Sequence, residues 1–248
     1  MIKAGFIPAA VIIFLFSAFT LKAQSDFYTI VKDSLTYSDS AGKTVLSVYF
    51  EYPVFTEKYS KSYLMINDAI NLMYRVNDIQ SSFDYFLEDY KAQLADNPEF
   101  NEIWREEFIF KVEQIDSDHF LLFSKNSKVT GNFYWEDIGR TNFLSDGDYL
   151  SLASLFSEDD TEKVNKIAEK HFRKTYLNGD PGKDISSAGI SFSEGRYYVP
   201  LEFSFTDKEL IFYHESTTPV VKVFPVKIPY SELKGLIRPG TFVDKYVN

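Results

Sequence analysis

Apolar and polar positions change their spacing several times along the chain, and each change marks an element. Residues 27–38 and 44–56 carry strand signals. In the second, Val45, Ser47 and Tyr49 alternate with Leu46, Val48 and Phe50, and Ala41-Gly42-Lys43 supplies the turn before it. Over 59–95 the alternation stops. Tyr63, Ile66, Ile70 and Met73, then Ile79, Phe83, Phe86, Leu87 and Tyr90, recur mostly at three- and four-residue steps, which predicts one long or two consecutive amphipathic helices ended by Asp96-Asn97-Pro98. Strand signals return at 101–115 and 119–130, joined by the turn residues Asp116-Ser117-Asp118.

The stretch Gly131–Asp148 is rich in turn residues and reads as an irregular connection. It carries Phe133, Tyr134 and Trp135, and aromatic side chains on a loop are typical of recognition surfaces. These three are the candidate partner-binding residues, with folding back onto the core as the alternative. A further helix is expected from Thr161 to Leu177, with Val164, Ile167, Ala168, Phe172 and Tyr176 on its apolar face and Asn178-Gly179 as its stop. Glu158, Asp159 and Asp160 fall at its start, where the helix dipole favours negative charge. The last third reads as β-rich. Tyr197, Val199, Leu201, Phe203 and Phe205 share one strand face, and Asp207-Lys208 turn the chain into 210–214. Short strands follow at Val220–Phe224 and Val226–Ile228, and 229–233 makes a closing helical turn.

This order of elements predicts an α+β fold, a mostly antiparallel sheet packed with one long amphipathic helix region and one shorter helix. No repeat or linker divides residues 24–248, so a single module is expected, with 24–130 as the half that carries the long helix and 131–248 as the other.

The N-terminus changes the picture of where this module works. Lys3 precedes an apolar run from Ala4 to Leu21, and Ala23 is a small residue before the polar Gln24-Ser25-Asp26. Residues 1–23 therefore read as a cleaved secretory signal peptide, with an uncleaved membrane anchor as the alternative, and the protein is expected to be periplasmic or secreted. No later segment has membrane length. The absence of cysteine excludes disulfides, thiolate catalysis and cysteine-ligated zinc. Loss of residues 1–23 would remove Lys3 and Lys22 and move the formal charge from −10 to −12. So acidic a chain disfavours nucleic acid and favours a cationic partner. The 24 Phe and 17 Tyr suit a β-rich core, and an aromatic-lined ligand groove is the sharper alternative.

The residues of catalysis are sparse. His119, His171 and His214 lack the i, i+4 partner of a metalloprotease helix, and His171 falls on the apolar face of its helix. Asp116, Asp118 and His119, and separately Asp146-Gly147-Asp148, are better explained by turn chemistry than by a metal. No phosphate loop, dinucleotide fingerprint or nucleophile elbow is present. No catalytic residue, metal or cofactor is assigned. The 36 acids leave paired-carboxylate hydrolysis as the alternative to binding.

Four segments resemble a known family, the first being Tyr52-Pro53-Val54-Phe55 before the long helix, similar to the entry of its accompanying N-terminal region. Asp148-Tyr149-Leu150-Ser151-Leu152-Ala153-Ser154-Leu155-Phe156 is similar to its "tG-x-x-l-x-L-x-D-L-F" signature, with Ser154 in place of the acid. Phe203 to Tyr213 is similar to its "nF-x-l-t-d-k-G-l-x-f-x-y" hairpin, and Val226-Lys227-Ile228-Pro229-Tyr230-Ser231-Glu232-Leu233 to its closing "v-x-I-P-Y-x-e-L". The family is the domain of unknown function in the extracytoplasmic part of RsiV, the lysozyme-sensing anti-sigma factor, and beside the catalytic domain of PdaC-like peptidoglycan deacetylases. The resemblance spans roughly residues 45–237, with 131–248 as the RsiV-like half. It implies an exported binding or sensing module of the cell envelope, whose partner is a protein such as lysozyme or an envelope glycan. The family's "G-A-A-H-G" segment is replaced around Thr130-Gly131-Asn132-Phe133, and Glu209 stands where a turn glycine is common. These departures lie in loops, so the family's ligand does not transfer with its pattern. Only about three residues precede the apolar run, so the module is expected to stand without a cytoplasmic output domain.

Overall fold

The computed structural model describes residues 26–190, 192, 195–216 and 221–247; the expected signal peptide, residues 1–23, lies outside them. Strands β1 (Tyr28–Ser38) and β2 (Thr44–Phe55) form an antiparallel hairpin in register from Tyr28 opposite Phe55 to Ser38 opposite Thr44. The Asp39 carboxylate holds its turn, accepting the N–H groups of Ala41 and Lys43 at 2.9 Å each, and Gly42 supplies the φ of 79°. Leu46, Val48 and Phe50 of β2 are buried, and helices α1 (Tyr63–Tyr74) and α2 (Ile79–Asp96) pack on this strand through faces that bury Ile66, Ile70, Phe83, Phe86 and Leu87. The predicted helical region is thus two helices. Arg75 turns left-handed after α1 (φ 51°), and Asp78 caps α2 by accepting from the Ser81 N–H.

The α1–α2 crossover lets β3 (Trp104–Ile115) lie parallel to β2, from Leu46 opposite Trp104 to Glu51 opposite Ile109. Strands β4 (His119–Thr130), β5 (Phe133–Leu144) and the two-residue β6 (Tyr149–Leu150) complete a sheet of order β1-β2-β3-β4-β5-β6. Here the structure corrects the expected irregular connection, because Phe133–Leu144 is a strand. Aromatic residues on both of its faces hide the period of two, and Gly131, at φ 63°, turns β4 into β5.

Farther along come α3 (Leu152–Leu155) and α4 (Glu158–Tyr176), the latter capped by the Ser157 hydroxyl on the Asp160 N–H and burying Val164, Ala168 and Phe172. A second antiparallel sheet, β7 (Phe203–Phe205), β8 (Glu209–Glu215) and β9 (Val223–Pro229), ends in the turn α5 (Tyr230–Leu233). The expected strand over 197–205 shortens to three residues. Val199 gives its N–H to Asn165 Oδ1 of α4 at 2.8 Å instead of a ladder, and Leu201 stands 81% exposed. The two short strands expected over 220–228 are one; Val220 lies outside the described residues, and Pro225 fits because β9 pairs on one side only. No described helix is long and apolar enough to cross a membrane.

The chain divides into two compact units. The first runs to Lys111 and includes Lys125–Glu136; the second comprises Val112–Ser124 and everything from Asp137 onward.

Candidate functional site

Within the first unit, the end of the β1–β2 hairpin and the C-terminal part of α2 enclose a cleft of about 330 Å³, within the usual range for small-molecule sites of roughly 300–1,000 Å³. Its apolar lining comes from Tyr37, Tyr90 and Phe100, with Val45 and Leu94 beside them. The rings form a connected set. Tyr90 meets Tyr37 edge-on at 6.3 Å, Phe100 at 5.6 Å and Trp104 at 5.5 Å between centroids. Trp104 also packs on Phe86 at 5.3 Å, so the ring set is anchored in the core of the unit. The indole Nε1 of Trp104 is buried without a hydrogen-bond partner among the described residues.

Polar groups rim these rings: Asp39, Ser40, Lys43 and Asn101. The Lys91 ammonium lies 5.7 Å from the centre of the Tyr37 ring. Burial, with smaller effects from Tyr37 and Asp39, holds the Tyr90 hydroxyl above its ordinary pKa, so it remains a protonated donor. Rigid aromatic surface beside both donors and acceptors suits a ligand with apolar C–H faces and many hydroxyls. The three rings come from β1, α2 and the connection after it, so no single periodic segment of the sequence brings them together.

The candidate residues Phe133, Tyr134 and Trp135 lie elsewhere, at the start of β5. Phe133 and Trp135 share one strand face and are 59% and 39% exposed. Tyr134 points the other way, where its hydroxyl donates to Glu136, which pairs with Lys125 at 2.9 Å. The structure therefore leaves two of the three on the surface and ties the third into a polar pair.

The histidines and the aspartate turns have local explanations. His119 Nε2 sits 3.0 Å from Asn142 Oδ1, His214 Nε2 sits 2.8 Å from the Tyr197 hydroxyl, and His171 Nε2 sits 3.0 Å from Glu232 Oε1. Asp116 Oδ1 accepts the N–H groups of Asp118 and His119, and Asp146 Oδ1 accepts that of Asp148. Among the described residues no group of three His, Asp or Glu side chains could hold a metal ion.

One cluster in the second unit has no signal in the sequence. The Arg140 guanidinium lies over the rings of Tyr213 (4.2 Å) and Phe123 (5.1 Å) and pairs with Glu113 through Nε at 3.1 Å. Its backbone N–H donates to the Glu202 carboxylate. Burial raises the pKa of Glu202, and burial together with Glu202 and Asp137 raises that of Glu215 to about 7. Arg140 Nη1 and Glu215 Oε1 are buried without partners among the described residues. The cluster can hold a proton near neutrality, but neither Glu202 nor Glu215 lines the aromatic cleft.

No protein-family model matches the chain, and no curated protein does. Solved structures do. A crystal structure of a DUF3298 family member from Bacteroides fragilis aligns with a TM-score of 0.61 at 13% identity, over 88% of this chain and 97% of that one. The fold is of DUF3298 type. A DUF3298 family protein from Pseudomonas aeruginosa aligns with a TM-score of 0.53 at 14% identity, over 84% of this chain and 94% of that one. Identity this low establishes a likeness of architecture and carries no ligand with it.

The family motifs now have a physical meaning. Leu155, Phe156, Phe203, Phe205, Leu210, Phe212, Val226, Ile228, Tyr230 and Leu233 are all buried together in the core of the second unit. The three later segments that carry the resemblance thus help build the second unit's interior, whereas Tyr52–Phe55 belongs to the first unit. The aromatic cleft of the first unit lies outside all four segments.

Proposed function

We propose that this chain is an exported, non-catalytic binding module of the cell envelope that holds a glycan segment in the Tyr37–Tyr90–Phe100 cleft. The single observation that carries the reading is that cleft, whose aromatic walls and mixed polar rim match the C–H faces and hydroxyls of a sugar. The signal-like residues 1–23 support export to the periplasm or beyond, and the RsiV-type motifs support an envelope role.

Calorimetric titration of residues 24–248 with peptidoglycan fragments tests it. Saturable binding that weakens at least tenfold in Tyr37→Ala and Phe100→Ala is the expected result. No heat with any fragment, or unchanged affinity in both variants, would overturn it.

A second reading places a protein partner such as lysozyme on Phe133 and Trp135, favoured by the exposure of both rings on one strand face. Lysozyme retained by the wild-type protein but not by Phe133→Ala/Trp135→Ala would establish that surface. The alternative of a hydrolase rests on the proton-holding pair Glu202 and Glu215. Release of reducing ends from peptidoglycan, abolished in Glu215→Gln, would displace the binding reading.

A further inference from the structure

The second unit carries a cleft of its own, about 320 Å³, between the later turns of α4 and the wall Gly179 to Pro181. Lys166, Lys170 and Arg173 line it at four- and three-residue steps, so they stand on one helix face, and Glu169 is the one acid among the lining residues. In a chain of net charge −10 this gathers three cations on one face, each with a carboxylate beside it: Glu162, Glu232 and Glu169. The helix dipole accounts for basic residues in the last turn, which here are Arg173 and Lys174. It does not account for Lys166 and Lys170, which lie before that turn.

Arg173 is held in place. Its Nε donates to Glu169 at 2.7 Å, and its Nη1 donates to the carbonyls of Lys183 at 2.7 Å and Asp180 at 3.3 Å. The wall is shaped by Asn178 and Gly179, both left-handed at φ 57° and 76°, with the Gly179 N–H bonded to the Arg173 carbonyl. The two lysines are paired only at the surface. Lys166 pairs with Glu162 where both side chains are about three-quarters exposed, and Lys170 reaches Glu232 only at 3.5 Å, on a carboxylate that also holds His171. Solvent-exposed pairs of this kind add little to stability, so either ammonium turns to a ligand at little cost.

A guanidinium held by three hydrogen bonds, flanked by two exposed ammonium groups along the same open cleft, is arranged for a planar or tetrahedral oxyanion. We infer that the α4 cleft binds an oxyanion, a phosphate or carboxylate group, through Arg173, Lys170 and Lys166. This site is separate from the aromatic cleft and does not depend on the glycan reading.

The test is a titration of the ¹⁵N-labelled protein, residues 24–248, with sodium pyrophosphate and separately with trigalacturonate, against sodium chloride at matched ionic strength. Saturable shifts at the Arg173 Nε–Hε signal and the Gly179 amide are expected with at least one anion. Response to pyrophosphate alone assigns the site to phosphate, and response to trigalacturonate alone to a carboxylate-bearing glycan. Arg173→Gln would also release the Asp180 and Lys183 carbonyls, so the deciding variant is Lys166→Gln/Lys170→Gln, whose side chains are exposed. It should weaken binding at least tenfold, whereas Tyr37→Ala should leave it unchanged. Shifts that chloride reproduces, shifts absent with both anions, or full affinity in the double lysine variant would each overturn the assignment.

Discussion

Both units pair charge at the surface, and they differ in the ionisable groups they bury. In the first unit charge is paired at or near the surface: Lys32 with Glu51 at 2.9 Å, and Lys125 with Glu136 at 2.9 Å. One acid there, Glu106, has its pKa raised by burial, and Lys128 partly offsets the effect. The second unit buries His119 and His214 completely or nearly so and encloses Glu202, Glu215 and Arg140 in one cluster. Both units are built on aromatic rings, so the difference is not one of core material. It lies in the ionisable groups that each unit buries, and it predicts that acid and base act on the second unit first.

The largest expected effect concerns what the units share. Phe172 of the second unit touches Tyr176, Phe192, Tyr197 and His214, and Phe86 of the first packs on Trp104; both phenylalanines are fully buried. Phe172→Ala and Phe86→Ala should each cost about 3–5 kcal/mol in urea unfolding. A loss below roughly 1 kcal/mol for either would mean that its surroundings close over the cavity.

The next effect separates the units. Burial lowers the pKa of His214 from 6.5 to about 4 and lowers that of His119 as well. A histidine held neutral in the fold binds its proton more readily when unfolded. Its stabilisation is therefore complete above pH 6.5 and is lost as pH falls from 6.5 towards 4. For His214 the full span amounts to roughly 3 kcal/mol. His214→Phe should flatten this slope, although the unpaired Tyr197 hydroxyl lowers its stability at every pH. An unchanged slope in that variant would assign the acid response elsewhere.

Glu215 works in the opposite direction. Its pKa rises from 4.5 to about 7, so the favourable balance present below 4.5 is lost as pH climbs through 7. Glu215→Gln should therefore gain stability at about pH 8 and little at about pH 5, on the order of 1 kcal/mol after allowing for its partial exposure. Equal stability at both pH values would show that the cluster relaxes when charged. The smallest effect belongs to the first unit: Lys32→Gln removes the pair with Glu51 and should cost below about 1 kcal/mol, vanishing at roughly 1 M salt.

Much of the fold was legible because burial on one face leaves a period. The two-residue period predicted β1, β2, β3, β4 and β8, and the three- and four-residue period predicted α1, α2 and α4. The misreadings have distinct causes. Strand β5 puts Phe133 and Trp135 on one face and Tyr134 on the other, which erases the contrast between faces. Tyr197 and Val199 are buried as a strand face would be, yet His214 and Asn165 hold them from outside any ladder.

By itself the sequence determined the α+β class, most element boundaries and the buried motif residues of the second unit. These depend on neighbours a few residues apart, where side-chain direction follows backbone geometry. Only the tertiary structure decided the sites. Tyr37, Tyr90 and Phe100 converge across more than sixty positions of chain, and Arg140, Glu202 and Glu215 across more than seventy. A cleft and a shifted proton equilibrium arise from what surrounds a side chain in space, and no local pattern encodes those surroundings.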